Sequence, residues 1–360
     1  MRILIAGDWH SELHEEVMLR ALENLGHTVE AFKWCAYFGR PDGWLAAGIH
    51  AVRRFQNKYL LGPAVRRLNQ DLIAAAQGLK PEMLFVYRGT HIHRETLRAI
   101  KEQLPNCTLV GYNNDDPFSL DAPRYLWRHF VRAVPGYDLM LAYRHANLRE
   151  YRDVGARRVE LFRSWFVPER NHPVTLSAQE EPRFAADVVF VGHHEEDQRL
   201  EYLEEIARSG IRLRLFGPGY DWDPVIEDSS VLGALKPVQL VWGEDYNRAL
   251  CGAKIALCFL SKLNRDTYTR RCFEIPAAGT LMLSEYSDDL AGLFREGVEA
   301  DFFRSKDEML EKIKYYLAEH EVRERVASAG QRRVFGDGHD VAARMRQLLT
   351  WVNDMKERVS

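Results

Sequence analysis

The sequence predicts an α/β protein of two domains, each a mostly parallel sheet covered by helices. Three observations carry this expectation. Residues 3–6 are an apolar strand running into Gly7-Asp8-Trp9-His10-Ser11, followed by an amphipathic helix and a second strand at 28–32. The same order returns at 187–191, where an apolar run meets Gly192 and a helix extends to about 209. Elsewhere, short apolar runs alternate with helical periodicity along most of the chain. Two Rossmann-like domains satisfy all three.

The elements follow in order. The first helix opens near His14, places Val17, Met18, Ala21, Leu22 and Leu25 on one face, and stops at Gly26. The turn before it lacks Gly-x-Gly-x-x-Gly, so no dinucleotide redox cofactor is expected. Residues 36–60 set Trp44, Phe55 and Tyr59 among basic residues. They read as a helical insertion, either shaping an acceptor site or packed on the domain edge. A helix then runs to about 77, with strands at 83–87, 108–112, 139–142 and 157–162 and helices at 95–104, 122–133 and 145–154 between them. Open parallel sheets bind ligands beyond the carboxyl ends of their strands. Loops 7–11, 88–93 and 113–118 share that edge, the last reading Asn113-Asn114-Asp115-Asp116-Pro117-Phe118.

Residues 163–182 carry three prolines and little apolar periodicity, as a linker would. The expected division is therefore 1–170, 183–338 and a terminal helix within 339–360. In the second domain, strands are expected at 187–191, 211–216, 255–260, 280–284 and 300–303. Helices are expected at 287–294, 305–319 and 321–334. Gly192 to Asp197 and Gly217 to Trp222 are loops at the ligand edge.

The stretch 261–279 carries the chemistry. A polar loop holds Lys262 and Arg265, a short helix should begin near 267–269, and Gly279 closes it. The first N–H groups of a helix lack intrahelical partners and carry partial positive charge, which suits an anion. Arg270 and Arg271 add full charges. Asp266 and Glu274 have seven residues between them, a little over two helical turns, so both could face one ligand. The chemical reading is a phosphate-bearing ligand whose sugar hydroxyls meet the acids. The competing reading is an ordinary helix with a solvated charged face.

The order Arg-x-Phe-Glu-Ile-Pro-Ala-Ala-Gly followed at once by an apolar strand resembles the C-terminal half of GT-B glycosyltransferases, in particular the group 1 enzymes and their CgeB-like, spore-maturation-type relatives. Asp-Val-Val-Phe-Val-Gly at 187–192, Leu-Phe-Gly-Pro-Gly at 215–219 and Asn-x-Asp-Asp-Pro-Phe near 113–118 are similar to the same pattern. The group 1 pattern has Glu where this chain has Asp266; Glu274 matches. The resemblance implies two domains facing across a cleft, a C-terminal helix that crosses back to the first domain, a nucleotide-sugar donor and no essential metal. It assigns Gly192, His193, Gly217, Lys262, Asp266, Thr267, Arg271 and Glu274 to the donor side. Asp115 and Asp116, with His10 as runner-up, are the candidate acceptor-side acids and base; Asp8 and His91 lie on the same edge. The Asp266/Glu274 pair leans toward a retaining, hexosyltransferase-like enzyme. A sugar-nucleotide epimerase and a non-catalytic sugar-binding or coat-assembly protein remain alternatives.

Composition narrows the rest. A net charge of −3 gives no electrostatic case for nucleic acid. Five widely spaced cysteines without Cys-x-x-Cys argue against a disulfide framework or a zinc site. His91-x-His93 and the 193–197 cluster lack third and fourth ligands, so no metal is expected. The N-terminal apolar core is too short for a signal peptide, and no run approaches the ~20 residues of a membrane span. A cytoplasmic enzyme with an unidentified acceptor is the expectation.

Overall fold

The computed structural model describes residues 1–43 and 45–357. Trp44 lies outside the described residues. The chain divides into two compact units, one made of residues 1–164 and 341–360, the other of residues 165–340.

The first unit holds β1 (Arg2–Gly7), α1 (Val17–Asn24), β2 (Thr28–Lys33), α2 (Ala46–Tyr59), α3 (Pro63–Leu79), β3 (Met83–Tyr87), α4 (Arg94–Gln103), β4 (Thr108–Asn113), α5 (Arg124–Ala133), β5 (Leu139–Ala142), α6 (His145–Asp153) and β6 (Val159–Leu161). The strands form one sheet in the order β2-β1-β3-β4-β5-β6, every pairing parallel. Every residue of β3, β4 and β5 is buried, because helices cover both faces of a parallel sheet. Leu68 and Leu72 of α3, Leu97 of α4 and Phe130 of α5 join Leu84 and Val86 in the core.

The second unit holds α7 (Glu181–Phe184), β7 (Ala186–Val191), α8 (Arg199–Arg208), β8 (Leu213–Phe216), α9 (Gly219–Ile226), α10 (Gly243–Cys251), β9 (Ala253–Cys258), α11 (Arg271–Ala277), β10 (Leu281–Glu285), α12 (Asp288–Leu293), β11 (Asp301–Phe303), α13 (Lys306–Ala318) and α14 (His320–Gly336). Its sheet, β11-β10-β9-β7-β8, is also parallel throughout. The final helix, α15 (Val341–Glu357), returns to the first unit. There it packs on α1, burying Met345, Leu348 and Val352, and Trp351 meets Phe162 edge-on.

Several segments differ from the sequence reading, among them Gly217 to Trp222, expected as a loop, where α9 already begins at Gly219. The first helix is preceded by a π-helical turn, Glu12–Glu16, capped by the Ser11 side chain. The region 36–60 splits into a 3-10 turn, Trp34–Phe38, and α2. The helix expected from 267–269 begins at Arg271, because Ser261 to Thr269 is taken up by turns in which Asp266 N–H donates to the Ser261 carbonyl. The proline-bearing stretch after 163 is also no loose tether. Trp165, Phe166 and Val167 are buried, and Phe166 N–H bonds the His339 carbonyl within the second unit. Hydropathy periodicity misses such a segment, since its apolar residues are consecutive rather than spaced.

Gly330 of α14 packs directly against backbone in the second unit. A Cβ there would lie 2.2 Å from the Glu299 carbonyl oxygen, a backbone atom that cannot rotate away. Gly330→Ala should therefore destabilise this unit by about 1–3 kcal/mol, as overpacking does. Denaturant unfolding followed by a second-unit probe measures it, and an unchanged midpoint would refute the contact.

Candidate functional site

In each sheet the strand order reverses once, between β1 and β3 in the first unit and between β7 and β9 in the second. Loops that leave neighbouring strands in opposite directions open a crevice at the carboxyl edge, the usual ligand position in such sheets.

In the second unit this crevice is floored by backbone. Gly217, after β8, would place a Cβ 2.2 Å from the Gly192 carbonyl oxygen after β7, so no side chain fits. Trp222 of α9 donates its indole N–H to that carbonyl at 2.8 Å. Arg199 braces the 193–197 loop from below, with two bonds to Asp197 and one to the His193 carbonyl. His193 itself is exposed, its Nδ1 2.6 Å from Asp221.

The 261–277 segment forms the other wall. Arg271 lies beside Gly192, its guanidinium 6.0 Å from the centroid of the Phe190 ring. Its Nε is buried without a hydrogen-bond partner. Glu274, one helical turn on, is buried; Tyr246 of α10 donates to its Oε2 at 2.7 Å and Arg270 Nε lies 3.2 Å from its Oε1. Burial of the Tyr246 hydroxyl, reinforced by this carboxylate, raises its pKa well above the ordinary range, so Tyr246 stays a donor. Lys262 is exposed and pairs with Glu285 at 3.1 Å, while Thr267 donates to Asp289 at 2.7 Å. Asp266 is half-buried at the turn between them. The structure thus gathers Gly192, Gly217, Arg271 and Glu274 at one strand edge. No residue pattern points to Tyr246, Glu285 or Asp289, which come to these side chains from distant elements.

In the first unit, Trp9 and Arg88 follow β1 and β3 and both hold φ near +58°, costly for residues with a Cβ, roughly 1–3 kcal/mol each. Glu15, buried, fixes the first of these turns by accepting from Trp9 N–H at 3.1 Å; desolvation raises its pKa. His10 and Asp8 form a 3.4 Å pair, which raises the imidazole pKa and lowers the carboxyl pKa. Asp115 and Arg88 pair at 2.8 Å, partly open to solvent. Asp116 is buried, and its Oδ1 accepts from Phe118 N–H and Asn147 Nδ2, which shapes the loop. His91 is buried with both ring nitrogens engaged, by Thr90 and by Asn57. Among the described residues, no group of three or more His, Cys, Asp or Glu side chains is placed to hold a metal ion.

The fold has counterparts among solved structures, and part of the sequence matches a family model. Residues 198–350 match the family model described as glycosyl transferase-like. The match spans both Arg271 and Glu274. HepE of Anabaena, solved with UDP-glucose, superposes with a TM-score of 0.66 at 12% identity, over 98% of this chain and 100% of that one. Sucrose-phosphate synthase of Thermosynechococcus elongatus gives 0.68 at 13% identity, covering 99% of each chain. The trehalose 6-phosphate synthase of Burkholderia multivorans gives 0.63 at 11%, covering 100% of each. No curated protein sequence matches the chain significantly. The chain therefore has the α/β fold of two parallel-sheet, Rossmann-like domains found in GT-B structures. No helix among the described residues is long and apolar enough to cross a membrane.

Burial lowers the His91 pKa to about 4. The unfolded chain takes up this proton near pH 6.5, so stability should fall as pH drops from about 6.5 through 4, by on the order of 3 kcal/mol. NMR titration of the ring carbons checks this: His91 should stay neutral at pH 5.5 while His10 is already protonated.

Proposed function

We propose that the protein is a glycosyltransferase that moves a sugar from a nucleoside-diphosphate sugar to an acceptor, with the donor held by the second unit. The carrying observation is that Arg271 and Glu274 share one turn of α11 beside a backbone-floored crevice, inside the segment that is glycosyl transferase-like. HepE, of like fold, was solved with UDP and with UDP-glucose, which supports a nucleotide sugar as the ligand class here.

Each part of the ligand has a partner of matching chemistry. Lys262 and Arg271 neutralise the diphosphate, as a leaving group requires. Glu274 accepts from the vicinal ribose hydroxyls; a carboxylate oxygen takes more than one hydrogen bond, so the Tyr246 contact persists. Ribose competes with Arg270 for Oε1, which turns that guanidinium toward the phosphates. Gly192 and Gly217 let the ligand approach the backbone, with His193 and Thr267 at the rim and Asp266 near the sugar. Asp115, with His10 poised by Asp8, supplies acceptor-side proton transfer, while Asp116 holds the loop that presents Asp115. The Asp266/Glu274 pair fits retention of anomeric configuration, and the cations replace a metal.

Glu274→Ala should weaken nucleoside-diphosphate binding roughly ten- to a hundred-fold, since it removes charged hydrogen bonds of about 1.5–3 kcal/mol. Calorimetry on the folded variant decides; undiminished affinity for every nucleotide that binds wild type would displace the donor site. Asp115→Asn should cut turnover at least ten-fold with donor affinity retained, and wild-type turnover should survive EDTA. Product analysis over a donor panel measures both, and full activity in Asp115→Asn would remove that acid from catalysis.

A further inference from the structure

The first unit has a second concave surface, which starts beside the strand edge just described, where Lys33 Nζ lies 4.8 Å from the centroid of the Trp9 ring, and runs outward along the sheet edge. A groove of ≈ 930 Å³ lies along the sheet-edge strand β2, walled by α2 and α3. Leu45, Ile49 and Val52 line it from the α2 side, with Phe32 and Pro63 opposite. A helix packed on a domain normally turns its apolar side inward. Here Ala46 and Gln56 are the buried residues of α2, while Ile49 is 41% exposed and Val52 and Phe55 are each 55% exposed. Leu45, just before the helix, and Leu61, just after it, are also exposed. Among the described residues, nothing covers this apolar surface enough to take Leu45, Ile49 or Val52 out of solvent.

Charge identifies what covers it. Residues 33–67 hold seven Lys and Arg against one acid, Asp42, in a protein whose net charge is −3. Lys33, Arg53 and Arg67 lie in the groove wall. The lining acid, Asp71, is already taken by the Tyr37 hydroxyl at 2.8 Å and by Arg67 at 3.5 Å. A second copy of the chain would set one cationic patch against another. An anionic surface with apolar chains satisfies both halves of the groove.

We propose that this groove is a membrane-docking site: α2 lies on an anionic bilayer, and the groove takes an acyl chain of an anionic lipid whose headgroup meets Lys33, Arg53 and Arg67. The proposal is independent of the donor-site reading, since it concerns other residues of the first unit.

Co-sedimentation of the full chain with phosphatidylglycerol vesicles and with phosphatidylcholine vesicles tests it. Binding to the anionic vesicles should be at least roughly ten-fold stronger and should fall in 0.5 M salt, as screening demands. Ile49→Ser with Val52→Ser, and separately Arg53→Gln with Arg67→Gln, should each lower binding roughly ten-fold or more while leaving the thermal midpoint unchanged. Equal or no binding to the two vesicle types overturns the proposal. So does anionic binding that Ile49→Ser with Val52→Ser leaves intact, which would be surface charge alone. Sedimentation velocity showing a dimer that the serine variant dissociates would assign the face to a second copy and equally overturn it.

Discussion

Parallel pairing is the constraint on which the rest depends. When every strand in a sheet runs the same way, every loop that leaves a strand is delivered to one edge, and every return connection must be a helix on a face. The helices then bury both faces, which is why β3, β4 and β5 show no exposed residue. The chemistry is left to one rim, and the reversal of strand order makes room there. Gly192 in one unit, backed by Gly217 from the neighbouring strand, and the strained Trp9 and Arg88 in the other, stand at these two reversals. Strain and close approach collect where the packing leaves a crevice.

Electrostatics at the second rim follows from burial. Glu274 is removed from water, and a carboxylate there persists only if donors surround it. Tyr246 and Arg270 supply them, and the same arrangement fixes the carboxylate's orientation. Orientation is what a site needs to distinguish a pair of hydroxyls from water. At the first rim the Asp8–His10 pair is more exposed, so it remains free to exchange protons near neutral pH.

Much of this was legible in the sequence, and the reasons are local. Strands at 83–87 and 139–142 stand out because fully buried strands are uninterrupted apolar runs bounded by turns. The Arg271–Glu274 block is legible because its residues lie on one turn of one helix. Tyr246 was not, because a single tyrosine 28 positions away carries no sign of its partner. Asp115 and Asp116 look alike as letters, yet one pairs with Arg88 at the surface and the other is locked inside its loop. The outward apolar face of α2 was invisible for a related reason. Periodicity shows that a helix has two sides but not which side the fold turns to solvent.

The return of α15 has a consequence for how the molecule is made. The first unit is built from both ends of the described chain, while the second is one unbroken segment between them. During synthesis the early strands leave the ribosome first, but the face of α1 that α15 covers stays open to water. Domains generally fold as they emerge. Here the second unit, finished earlier, is the one that can settle first, and the half that begins the chain is the last to be completed.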